Sequence, residues 1–190
     1  MSAVSASSAQ GLTVQRFQCW PPGLLQLFDG TGLAAKAGLS VALVSTAESG
    51  ELRTVLLGMG ELYAPDARTL CVALWPQSRA ATALRSTGRA ALTWVFEGAF
   101  YQVQLRFAAL PESETNAQPL AAFAGVIEAG ESQRVGYARL KHGIGFELEA
   151  SERGGVLERW ELQIRQLRQQ FAAAANVASS GDCNTNDGTT

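Results

Sequence analysis

Histidine is almost missing from this chain: His142 is the only one in 190 residues. One imidazole rules out a histidine-built metal cluster within a single chain and speaks against a Ser-His-Asp triad. Cysteine is scarce as well. Cys19, Cys71 and Cys183 show neither C-x-x-C spacing nor an even count, so no disulfide framework and no zinc site is expected, and a reduced cytoplasmic setting fits. Charge is thin, at 17% of residues, with 17 acids against 15 bases and a net charge of −2. That balance offers no basic patch for nucleic acid or a membrane surface. No apolar run reaches the length of a membrane span, and the opening "MSAVSASSAQ" lacks the charged start and apolar stretch of a secretory signal.

Hydrophobic residues, at 47%, are abundant. So little charge covers the surface that burial against a second subunit is expected. The length suits one domain. Residues 1–12 and 173–190 are small and polar and read as disordered tails around a single domain over 13–172.

Within that domain "PPGLLQLFDGTGLAAKAG" predicts two short helical turns. From Leu39 to Leu110 the pattern is that of strands: "LSVALVST" and "ELRTVLLGM" across Ser49-Gly50, "RTLCVALW" after the Pro65-Asp66 corner, then "AALTWVF" and "AFYQVQLRFAAL" across Glu97-Gly98. Hairpin spacing of this kind predicts an antiparallel meander closing toward a barrel. Several strands are apolar on both faces and need cover outside. In the last, Tyr101, Val103, Leu105 and Phe107 share one face, while Gln102, Gln104 and Arg106 share the other. Further on, Leu120, Phe123 and Ile127 recur at helical spacing, "GIGFELEA" reads as a sixth strand, and Val156, Leu157, Trp160, Ile164, Leu167 and Phe171 mark the buried stripe of a long final helix.

The chemistry concentrates at "WPQSRAATALRSTG". Ser78 can cap a helix running to about Ser86, and Gly88 can supply the left-handed residue that ends it. Arg79 then projects from the first turn beside backbone N–H groups that have no intrahelical acceptor. A cation beside such a cluster meets the requirement for gripping a phosphate. Taken alone, the pair reads first as a cap followed by a solvated arginine, since serine is common at an N-cap and arginine is mostly exposed. Arg53, in line with core-facing Val55 and Leu57, needs a partner or a route to solvent. Gln102 can hydrogen-bond a heterocycle or water.

Taken together, "RTVLL" from Arg53, "QSRAA" from Gln77, "TGRAALTWVF" from Thr87 and "YQVQL" from Tyr101 resemble, in order and spacing, the pyridoxamine 5′-phosphate oxidase-like proteins with the FMN-binding split barrel. The resemblance covers roughly residues 39 to 110. It implies a mainly β, α+β fold: an antiparallel split barrel of about six strands with flanking helices. It also implies FMN as cofactor, bound at the interface of a homodimer. Arg53, Thr54 and Val55 would lie along the flavin, Ser78 and Arg79 would hold its phosphate, and Gln102 would bond a ring carbonyl or ribityl hydroxyl. Leu74 and Trp75 stand where the family has Thr-Asn, just before the phosphate loop.

The departures matter. Gly58 and Ala80 occupy positions where the best-known oxidases carry lysines, and the C-terminal substrate-binding segment of true oxidases has no counterpart. Pyridoxamine phosphate oxidase activity is therefore not expected. The resemblance implies a flavin-dependent oxidoreductase acting on a small molecule that the motifs do not specify. The alternative is a non-catalytic flavin- or haem-binding dimer serving as carrier, sensor or interaction module. No catalytic side chain is assigned; His142 reads as a turn residue and Trp160 as helix core.

Overall fold

The computed structural model describes residues 5–9, 11–111 and 120–181, with side chains over 11–111 and 120–177. Two hairpins organise the centre. Strands β3 (Ser40–Thr46) and β4 (Leu52–Gly58) pair antiparallel with Ser45 opposite Arg53 and Leu43 opposite Val55. Strands β7 (Arg89–Phe96) and β8 (Ala99–Ala109) meet across Glu97 and Gly98, both at positive φ, the geometry of a hairpin turn that follows the twist of its strands.

β3 also pairs with β7. β8 pairs along most of its length with the long strand β9 (Ala121–Val135). The free edge of β9 is shared: its first half takes β6 (Thr69–Leu74) and its second half β2 (Leu12–Phe17), beyond which lies β1 (Ser5–Ala9). β4 runs through a 3-10 turn at Met59–Glu61 into the short β5 (Leu62–Tyr63), which pairs with β6. The circuit β3, β4, β6, β9, β8, β7 thus closes by chain continuity rather than by a ladder between β4 and β6. The fold is a split barrel, antiparallel, with helices packed on it.

The barrel interior is lined by Leu43, Leu57, Leu70, Val72, Leu92, Val103, Leu105 and Ile127, all buried. On β8 the face of Val103, Leu105 and Phe107 is buried while Gln104 and Arg106 are exposed, as the alternation predicts. Helices α1 (Pro22–Leu27) and α2 (Leu33–Lys36) are the two short turns expected. α1 leads into an aromatic cluster in which Phe28 meets Trp20 at a tilt and Trp94 edge-on while Trp94 stacks on Tyr101, and the Trp20 indole N–H donates to the Thr69 carbonyl at 3.0 Å. α4 (Arg153–Gly181) lays Trp160, Ile164 and Leu167 on the barrel. Among the described residues no helix is long and apolar enough to cross a membrane.

Three regions differ from the sequence expectations. The helix predicted around Leu120 to Ile127 is strand β9, its Thr115-Asn116 start lying outside the described residues. Phe123 and Ile127, four residues apart, share the inward face by ordinary strand alternation with Gly125 between them, and Leu120 lies just ahead of the strand. The β8–β9 register shift opposite Gln104/Leu105 comes after Ile127 and moves only the later inward set by one position. Gly125 and Gly130, each worth about 1 kcal/mol against a helix interior, sit where the Phe107 and Phe17 rings lie flat on the backbone. The strand predicted at "GIGFELEA" is reduced to a single bridge between Leu39 and Gly145. β1 and the first residue of β2, Leu12, lie in the stretch expected to be an N-terminal tail, and α4 extends past residue 173.

Candidate functional site: a cleft between a barrel edge and a helix start

Helix α3 (Arg79–Thr87) begins at Ser78, whose hydroxyl accepts from the Ala81 N–H at 3.1 Å, and ends at Gly88 with φ 63°. The incoming loop is held from both sides. The Ser78 N–H donates to the Trp75 carbonyl at 2.9 Å, and Arg85 reaches back to the Pro76 carbonyl at 2.8 Å. Ala80, Ala81, Ala83 and Leu84 are buried; small residues let the helix sit close to the sheet. With the Ala81 amide capped, the amides of Arg79 and Ala80 are left without an intrahelical acceptor.

That helix start faces the open edge of β4, which has β3 as its strand neighbour. Between them lies a cleft of 540 Å³ lined by Leu52, Arg53, Thr54, Val55, Gln77, Ser78, Arg79 and Ala80. A second hollow of 450 Å³, toward the β3–β4 hairpin, shares Arg53 and Arg79 with it. Arg53 shares the face of buried Ser45 and pairs with Glu51 at the cleft rim. Arg79 is exposed and makes no ion pair among the described residues. The arrangement offers a polyanion two guanidinium groups and two backbone N–H groups on one side of the molecule.

Five of the residues singled out from sequence, Arg53, Thr54, Val55, Ser78 and Arg79, therefore converge on one cleft. The other three do not. Leu74 is buried at the end of β6. Trp75, 63% exposed, lies over a different hollow against α4. Gln102 stands on the outer face of β8 opposite Thr93 and Glu131, with β7 and β3 between it and β4.

No protein-family model matches the chain. It is similar to the YclD protein of Bacillus subtilis (strain 168), with 27% identity over 154 residues that span 81% of this chain and 99% of that one. Among solved structures it is similar to a Lactobacillus delbrueckii protein described as a candidate pyridoxamine 5′-phosphate oxidase, at 12% identity and a TM-score of 0.48 over 60% of this chain and 94% of that one. An FMN-binding protein from Syntrophomonas wolfei matches at 13% identity and a TM-score of 0.40, over 56% of this chain and 85% of that one.

The two positions that lack lysines now have a physical account. A Cβ on Gly58 would sit 2.6 Å from the Trp160 ring, so the ring closes that position to any side chain. Ala80 is buried on the inner face of α3, where a lysine would have to leave the interior. Sequence reasoning missed a polar group on the far side of β4: Glu61, whose carboxylate accepts the Gly58 N–H at 2.7 Å, together with Arg159 and Gln163 of α4. Glu three residues after the residue it caps was a legible signal for the first; none marks the other two. Burial pushes the Glu61 carboxyl above the ordinary carboxylate range, opposed by the Gly58 N–H and the charge of Arg159. Cys71 offers no nucleophile, since burial, with the negative charge of Asp66, pushes its thiol up to about 12.

Proposed function

We propose that the protein binds FMN, with the phosphate in the cleft between β4 and α3, and works as a flavin-dependent oxidoreductase on a small molecule. One observation carries this reading: Arg53, Arg79 and the capped start of α3 share a single 540 Å³ cleft. Arginine matches a phosphate with paired N–H donors, and charge-assisted bonds of this kind are the strong ones. The residues present fit the phosphate end of FMN. Arg53, Ser78, Arg79 and the free amides would hold it, and the Thr54–Val55 backbone would border the rest. Bound FMN supplies the electron chemistry; the chain supplies position and electrostatics.

The outer face of the barrel supports a homodimer with the cofactor between subunits. Leu52 is 71% exposed and Leu56 47% exposed, next to half-buried Ala42, Val44 and Thr93, which makes an apolar surface of the kind that marks an interface. Gln102 belongs to this outer face, so it meets the flavin in this proposal from the second copy. The missing cations at Gly58 and Ala80 favour a second reading, in which the dimer carries or senses a planar cofactor without turnover.

The test is titration of the purified protein with FMN and with riboflavin. Arg79→Ala should weaken FMN about tenfold to a hundredfold, the loss of about 1–3 kcal/mol expected for a charge-assisted bond, and leave riboflavin nearly unchanged. Equal losses for both ligands remove the phosphate from this cleft. A protein that ignores both ligands sinks the flavin readings together. Bleaching of the bound flavin by NADH or NADPH distinguishes the oxidoreductase from the carrier.

A further inference from the structure

The hollow on the other side of β4 encloses 340 Å³ between the 3-10 turn, the 146–148 segment and α4. That volume is in the range of small-molecule sites. Its walls are mixed in a purposeful way. Trp75 and Phe146 provide aromatic faces, and the Trp160 ring, edge-on to Phe146 at 6.2 Å, closes the floor. Gln163 is only 9% exposed, and its side-chain carbonyl oxygen is buried with no hydrogen-bond partner among the described residues. Leaving a buried acceptor unpaired is costly, so a donor arriving there recovers that loss. Arg159, exposed and four residues earlier on the same helix, lines the hollow as well, and i, i+4 residues share a helix face.

We infer that this hollow binds a small flat aromatic molecule that gives an N–H or O–H to the Gln163 carbonyl and presents negative charge to Arg159, its ring lying against Trp75 and Phe146. Three features select this chemistry over a purely apolar guest or a bare anion. The acceptor is unsatisfied, the cation stands at the open side, and the aromatic walls favour a planar body. Glu61 is already engaged by the Gly58 N–H and feels the charge of Arg159; Arg159 is the cationic side chain lining the hollow, which places the ligand's anionic group beside it. As a substrate site the hollow rests on the flavin reading, since Leu56–Gly58 of the same strand border it; as a binding site it stands without that reading.

The experiment is calorimetric titration of the flavin-free full chain with indole-3-carboxylate and with its N-methyl analogue, which has the same charge and ring but no donor. The expected result is saturable binding of the first in the millimolar range or tighter, and binding of the N-methyl compound weaker by about tenfold, one hydrogen bond's worth. Gln163→Leu should erase the difference between the two compounds, and Arg159→Gln should weaken both by about the same factor. Absence of saturable binding, equal binding of the two compounds to the native chain, a difference that survives Gln163→Leu, or no response to Arg159→Gln overturns the inference. Arg79→Ala tests the flavin reading in the same assay format: it should leave the indole titration unchanged, so failure at one hollow is distinguishable from failure at the other.

Discussion

Strand β4 serves two hollows that are assembled by different means. Its first half, Arg53 to Val55, faces a helix start whose cap, arginine and terminating glycine lie within eleven residues of one another, Ser78 to Gly88. Its second half, Leu56 to Gly58, faces groups brought from a helix a hundred residues further on. The first hollow is local chemistry presented by a hairpin and a turn. The second exists because Trp160 lies on Gly58 and Gly60 and thereby fixes where Arg159 and Gln163 stand.

Removing that keystone should give the largest effect. Trp160→Ala is expected to destabilise the chain by about 3–5 kcal/mol, as for other buried tryptophans, read by thermal or urea unfolding, and to abolish indole-3-carboxylate binding. Gly58→Lys alone should cost about 1–3 kcal/mol by overpacking. In the Trp160→Ala background the same lysine should cost much less, because the space is open; full additivity of the two changes would show that the ring is not what closes position 58.

A smaller effect separates the hollows from the other side. Ser78→Ala should lower stability by about 1 kcal/mol through loss of the α3 cap and reduce FMN affinity, with indole binding untouched. A variant that keeps native stability would mean the Ser78–Ala81 bond contributes nothing.

The smallest effect is one of slope. Because burial raises the Glu61 carboxyl above its ordinary value of 4.5, the folded chain keeps that proton to higher pH than the unfolded chain. Stability therefore falls as pH rises from 4.5 through the folded value and levels off above it. Glu61→Gln can still accept the Gly58 N–H but carries no charge to desolvate. Its stability relative to the native chain should improve across that window, and parallel pH profiles for the two proteins would count against a buried carboxylate.

Much of the first hollow was legible. Ser78, Arg79 and Gly88 announce a helix start and stop through backbone requirements that hold whatever surrounds them, and Ser49-Gly50 and Glu97-Gly98 announce hairpins in the same way. The sixth barrel strand was not legible. β9 hides behind apolar residues spaced three and four apart, because Gly125 takes the inward position between Phe123 and Ile127 and Leu120 lies just ahead of the strand, and two strands sharing its free edge outweigh any local preference. The placement of Gln102 was equally hidden: the alternation on β8 says which face it takes, not how many strands stand between it and Arg53.

By itself, then, the amino-acid order determined the turns, the caps, the inward and outward faces of the hairpin strands and the cation at the start of α3, because each depends on backbone geometry and side-chain period within a few residues. The tertiary structure alone decided that β9 is a strand, that Gly58 must remain bare beneath the Trp160 ring, and that Gln163 is left with an unanswered acceptor inside a hollow. Those outcomes come from contacts between segments far apart in the chain, where packing and desolvation, not local propensity, set the balance.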